Sequence, residues 1–202
     1  METQNDTMNR IVRAALRLFM AYGIKRTSIK EIAREAGVTR VTIYRHCADK
    51  RELVRAAFLQ SEAVFQQALQ TLNDRPDADP TQILDQIGRG IASLPTGDLP
   101  ARLDELERLY PDVYADLQQV RLDTEGELFS RLFDLSDERG ILRPGLNREV
   151  ARAIIWEILV HVLRNPGLMT LGLSDQDLFN AVRDIILFGI SSIPESEDLA
   201  GQ

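Results

Sequence analysis

Residues 27–46 read TSIKEIAREAGVTRVTIYRH, and this stretch decides the fold. Ser28 with Glu31 three positions on has the form of a capping box, so a short helix should open there and bury Ile29, Ile32, Ala33 and Ala36. Gly37 supplies a residue tolerant of positive φ, and Thr39 can cap a second short helix reaching about His46. Two short helices that meet closely need a small residue at the crossing and an apolar anchor on the second helix. Ala33 and Ile43 meet those needs. The pattern is a helix-turn-helix. Its second helix exposes Arg40, Val41, Thr42, Tyr44, Arg45 and His46, groups able to contact base edges and phosphates.

On the N-terminal side, Ile11, Ala15, Leu18 and Tyr22 form the stripe of an amphipathic helix that Gly23 ends. On the other side, Asp49 with Glu52 is a second capping-box pattern. It opens one long helix to about Leu72, with Phe58, Phe65 and Leu69 on the same face. NDRPDADP (73–80) reads as a linker whose Asp79-Pro80 starts the next helix. Helices are then expected at about 81–94, 101–109, 112–139, 147–164 and 174–190. PTGDLP (95–100), GILRPG (140–145) and Asn165-Pro166-Gly167 separate them, and Gly88, Gly90 and Gly126 loosen the helices that hold them. No alternating strand is evident.

Composition narrows the function classes. The chain of 202 residues is 44% apolar and 27% charged, an ordinary globular balance. Cys47 alone cannot build a disulfide framework, and with only two histidines beside it the chain offers no zinc-module ligand pattern. The run from Ala153 to Leu163 is broken by Glu157 and His161 and is too short to span a bilayer. METQNDTMNR lacks the apolar core of a secretory signal, so a cytoplasmic protein without a membrane partner is expected. The net charge of −7 conceals an asymmetry. Residues 1–60 carry 12 Lys and Arg against 6 Asp and Glu, and residues 61–202 carry 12 against 25. Lys25, Lys30 and Lys50 are all in the basic part, which suits it to a polyanion.

The stretch from Arg10 to Phe58, including AGVTRVTIYRHCADKRELVRAAF, resembles the DNA-binding head of the TetR (tetracycline-repressor-like) family of bacterial transcription regulators. Ala36-Gly37-Val38, Thr42-Ile43-Tyr44, and Lys50 with Leu53 carry the likeness, and GILRPGLNREVA (140–151) adds a weaker one. The resemblance implies an all-α fold of about nine helices. It would comprise a three-helix head with a helix-turn-helix at 1–60, a helical-bundle ligand-binding and dimerisation body at 61–195, and a tail at 196–202. By the same resemblance, Arg40, Val41 and Thr42 would read bases, while Thr27, Ser28, Tyr44 and Lys50 would hold phosphates. Lys30, Arg45 and His46 complete the DNA-binding set. Cys47 departs from the family, which usually has an aromatic there. The implied partners are a palindromic double-stranded operator, a second copy of the chain and a small-molecule effector that releases a repressor.

Within the body, Tyr110, Tyr114, Phe129, Phe133, Trp156, His161, Met169 and Phe179 are the candidates to line an effector cavity. Ile155, Leu159 and Val162 form one apolar stripe, and Leu178, Val182, Ile185 and Gly189 another. Together they suit an isologous four-helix dimer interface. Glu157 and His161 share a helical face, but no third ligand lies near, so neither a metal nor a cofactor is expected. Cys47 reads as a small buried hydrophobe rather than a redox sensor, and Asp104-Glu105-Glu107 as a solvated face. No phosphate loop or nucleophile motif points to catalysis. Two alternatives stay open: a helical enzyme or scaffold with such a head, and a DNA-binding regulator governed by a protein partner.

Overall fold

A computed structural model of the chain describes residues 4–161, 166–169 and 172–190. These residues form α1 (Gln4–Tyr22), α2 (Ile29–Glu35), α3 (Arg40–His46), α4 (Lys50–Ser61), α5 (Ala63–Asp74) and α6 (Pro80–Ala92). There follow α7 (Leu99–Leu109), α8 (Pro111–Glu138), α9 (Arg148–His161), the single turn α10 (Pro166–Met169) and α11 (Asp175–Ile190). The all-α expectation holds, with no strand among the described residues. None of the described helices is long and apolar enough to cross a membrane.

Local chemistry sets the head's boundaries. Gly23 leaves α1 at φ +91°, its N–H still donating to the Phe19 carbonyl at 2.8 Å. Ser28 and Glu31 form the reciprocal capping box, Glu31 Oε2 accepting from Ser28 N at 2.7 Å. Gly37 turns the chain at φ +65°, and Thr39 Oγ1 caps α3 by accepting from Thr42 N at 3.1 Å. The box expected at Asp49 closes differently. Asp49 accepts from Glu52 N, but the Glu52 carboxylate takes the amide of Ala48, one residue before the cap.

The single long helix expected from Asp49 to about Leu72 needs correcting. It is interrupted at Glu62, which separates α4 from α5. Ser61 Oγ bonds back to the Phe58 carbonyl at 2.6 Å, a contact that bends helices. The buried Glu62 carboxylate pairs with Arg121 at 3.4 Å. This break and the α10 turn account for two helices beyond the nine or so expected.

The chain divides into two compact units, residues 1–67 with 93–123, and residues 68–92 with 124–202. In the first, α1 packs on α4, α2, α3 and α7. Its core gathers Ile11, Phe19, Ile32, Ile43, Leu53 and Phe58 with Leu106, Val113 and Leu117, so α7 and the start of α8 complete the core beneath the helix-turn-helix. Phe19 and Phe58 stack with centroids 6.4 Å apart. In the second unit, α6 lies against α11, where a Cβ on Gly88 would meet the Phe179 ring at 3.0 Å. Phe133, Leu142, Ala151 and Ile155 form a buried cluster there.

Candidate nucleic-acid interface and effector cavity

The seven-residue α3 is held from beneath by buried Ile43 and buried Cys47. Its other faces are open. Arg40 and Arg45 are exposed, and between them Val41 is 70% and Tyr44 53% exposed. Large apolar groups left in water beside cations mark a contact surface. Thr42 and His46 are half-buried, and the Thr42 hydroxyl shares a 2.9 Å hydrogen bond with that of Thr39. Lys30 and Ser28 are exposed on and before α2. The Ser28 amide and hydroxyl both donate to Glu31, and the bond from the amide chiefly holds that carboxyl below its ordinary pKa.

Two expected phosphate ligands are held differently. Thr27 is buried, its hydroxyl donating to the Gly23 carbonyl at 2.8 Å and lying 3.3 Å from that of Leu18. Lys50 is half-buried and donates through Nζ to the Ile24 carbonyl at 2.6 Å. Burial lowers the Lys50 pKa, with Glu105 and Glu31 opposing the fall. An ammonium has three donors, so the contact with Ile24 leaves Lys50 further N–H groups.

Lys25 and Arg26, which the sequence reading left out of the DNA-binding set, are exposed cations in the turn before Ser28. Their signal was available, as two consecutive basic residues next to a helix cap. The sequence reading also missed Glu105. Asp104 and Glu107 are exposed as expected of a solvated face, but the Glu105 side chain is only 15% exposed and accepts from Ile24 N at 3.0 Å and Lys25 N at 2.9 Å. Cys47 behaves as a buried hydrophobe. Its thiol is pushed up to about 11, first by burial and then by Glu52 and Asp49.

The second unit holds a cavity of about 580 Å³ whose wall includes Gly126, Phe129, Ser130, Arg152, Ala153 and Trp156. Gly126 makes room for the indole, since a Cβ there would lie 3.1 Å from Trp156. Arg152 donates to Ser130 Oγ at 2.9 Å, pairs with Asp134 and sits 4.5 Å over the Phe133 ring. Of the eight residues expected around an effector, Phe129 and Trp156 line this cavity. Phe133 and Phe179 are buried, and Tyr110 and Tyr114 pack on the first unit's core. The side chains of His161 and Met169 lie outside the described residues.

The two apolar stripes are also divided. Ile155, Leu178 and Val182 are buried within the chain's own second unit, whereas Ile185 and Gly189 are exposed. Val150 and Ile154, one helical turn apart on α9, are exposed as well. Val162 and the Leu159 side chain lie outside the described residues. Among the described residues, no group of three His, Cys, Asp or Glu is disposed to hold a metal ion.

Residues 11–57 match the family described as bacterial regulatory proteins, tetR family. An uncharacterized HTH-type transcriptional regulator of Mycobacterium tuberculosis is 33% identical over 155 residues, covering 74% of this chain and 77% of that protein. Regulatory protein TetR from Rhodobacter sphaeroides superposes with a TM-score of 0.64 at 18% identity, over 90% of this chain and 97% of its own. NalD, described as the secondary repressor of the MexAB-OprM multidrug efflux pump in Pseudomonas aeruginosa, gives a TM-score of 0.56 at 24% identity, over 95% of this chain and all of its own.

Proposed function

Because the chain belongs to the TetR family and is thus a DNA-binding transcription regulator rather than an enzyme, we propose that it represses transcription from a palindromic operator and is released by a small ligand. The observation that carries the reading of DNA is the pair Val41 and Tyr44, exposed between Arg40 and Arg45 on the side of α3 away from buried Ile43. Arg40 suits a guanine edge, and Val41 and the Thr42 methyl suit thymine methyls. Ser28, Lys30, Tyr44, Arg45, His46 and the remaining donors of Lys50 suit phosphates, with the Thr27 backbone behind them. Lys25 and Arg26 extend that set. Residues 1–60 form the reading domain in this proposal, 61–195 the ligand-binding and dimerisation domain, and 196–202 a tail.

Family members bind operators and usually act as dimers. In this chain, the exposed face of Val150 and Ile154 on α9, with Ile185 and Gly189 on α11, is the surface we assign to the second copy. Two heads would then meet half-sites about one DNA turn, roughly 34–36 Å, apart. The cavity beside Phe129 and Trp156 is our effector site, because two aromatic rings, Gly126 and Ala153 share its wall with Ser130, Arg148, Glu149 and Arg152, apolar surface beside polar groups. Selection of binding sequences from random duplex DNA tests the reading. A palindromic consensus is expected, and recovery of no consensus overturns it. Effector coupling is tested by titrating a cavity ligand with and without operator, since linkage requires each to weaken the other equally.

A further inference from the structure

We propose that Glu105 on α7 is a positioning residue for operator binding, its carboxylate holding the α1–α2 turn, and with it the start of the reading helices, in the DNA-binding pose. The two carboxylate oxygens divide the work. Oε2 accepts from Ile24 N at 3.0 Å and from Arg102 Nη1 at 3.0 Å, and Oε1 accepts from Lys25 N at 2.9 Å. From the other side, Lys50 of α4 donates to the Ile24 carbonyl at 2.6 Å. Ile24 is therefore gripped at both backbone polar groups, while its side chain is fully buried in the core. Thr27 ties the next link by donating to the Gly23 carbonyl, and Ser28 then opens α2.

The turn is built to receive this carboxylate. At Gly23, itself at φ +91°, a Cβ would stand 2.3 Å from Arg102 Nη1 and 2.9 Å from Glu105 Oε2, so a side chain there would displace the ends of both. Burial alone would raise the Glu105 pKa, but the amides of Lys25 and Ile24, with Arg102, more than offset it and keep the group charged. Without the carboxylate, two amides outside any helix ladder would have to find water or shift. A shift there moves the cap of α2 and the cations Lys25 and Arg26.

The sign of the effect separates positioning from simple charge. Glu105 bonds to the backbone of the basic segment 1–60, so removing its negative charge should tighten DNA binding if only the long-range field mattered. Positioning predicts the reverse. The proposal rests on the DNA-binding reading and is tested on the full chain with the operator selected by the wild type. E105A should lose about tenfold in operator affinity, within the usual range for coupled sites, with the salt slope and selected consensus unchanged. E105Q keeps one acceptor and the shape, and should lose less. Hydrogen exchange at the Ile24 and Lys25 amides should quicken in both variants while α1 and α4 stay protected. If E105A fails to fold, E105Q carries the comparison alone. Affinity within twofold of wild type, or tighter binding, in a folded variant overturns the proposal. A wild-type chain that selects no duplex overturns the DNA reading itself, and the two failures are distinguishable.

Discussion

Gly23 and Gly37 both sit at positive φ, +91° and +65°, yet replacing each by alanine should have very different consequences. At Gly37, an added Cβ meets nothing within 4 Å. The cost there is the left-handed backbone, about 1–2 kcal/mol, reduced by roughly 0.4–1 kcal/mol from the stiffer unfolded chain. Gly37→Ala should therefore destabilise by about 1 kcal/mol. Gly23→Ala carries the same backbone term and also drives a methyl into Arg102 Nη1 and Glu105 Oε2, at 2.3 and 2.9 Å. Arg102 can swing away, but the Glu105 carboxylate is held by two amides, so at least one charge-assisted bond is lost, at about 1.5–3 kcal/mol. The sum is about 2.5–4 kcal/mol. Urea midpoints at a shared slope will read the difference. In an E105A background, the excess cost of Gly23→Ala should vanish, because the held carboxylate is gone and Arg102, without its partner, swings away. Equal destabilisation by the two glycine substitutions in the wild-type background would refute this reasoning.

Arg40→Ala should relax the selected consensus at one base position per half-site, costing about 1–3 kcal/mol there. An unchanged consensus removes Arg40 from the readers. Leu106→Ala, far along the chain from the reading helices, should destabilise by about 2–5 kcal/mol, because Leu106 is fully buried in the core they share. Denaturation of that variant checks whether α7 belongs to the same folding unit. The Cys47 thiol, raised from 9.0 to about 11, predicts that stability falls as pH climbs from about 9 towards 11, where the unfolded thiol ionises and the folded one does not. Cys47→Ala should flatten that alkaline slope, and an unaltered slope would assign it elsewhere. Ile154→Glu or Ile185→Glu should convert a sedimenting dimer into monomer, and a dimer that survives both places the interface on another face.

The head was legible because its signals are local. Ser28 with Glu31, Thr39, Gly23 and Gly37 act within four residues of themselves, and each does what its chemistry suggests. What escaped depends on partners distant in sequence. The break at Glu62 involves Arg121, 59 positions away, and periodicity carries no trace of it. Among Asp104, Glu105 and Glu107, only the fold says which carboxylate meets the turn after α1, 80 residues earlier. An amphipathic stripe states that a face is covered, not by what. Ile155, Leu178 and Val182 are covered by their own chain, whereas Ile185 on the same helix as the last two is not. The aromatic set divides for the same reason: Tyr110 and Tyr114 pack on one core, while Phe129 and Trp156 line a cavity in the other unit.

Three sets of charged contacts tie α7 and α8 to the head, and their magnitudes decide which one governs its pose. Arg51 pairs with Asp112 and Arg55 with Asp116, a ladder with both members stepping four residues. These side chains are about half exposed, so each pair contributes only about 0–1 kcal/mol and weakens further as salt rises. The Glu62–Arg121 pair is buried, and removing one partner would cost about 3–5 kcal/mol. That pair sits at the junction of α4 and α5, however, at the far end of α4 from Lys50 and the α1–α2 turn. Of these three sets, that of Glu105 combines near-burial with bonds to the backbone that leads into the reading helices. Backbone contacts constrain position more tightly than side-chain pairs do, because an amide cannot rotate away from its partner without moving the chain. A change in α7 therefore reaches the turn that leads into α2 through two backbone hydrogen bonds, whereas a change in the exposed ladder is absorbed by flexible arginines.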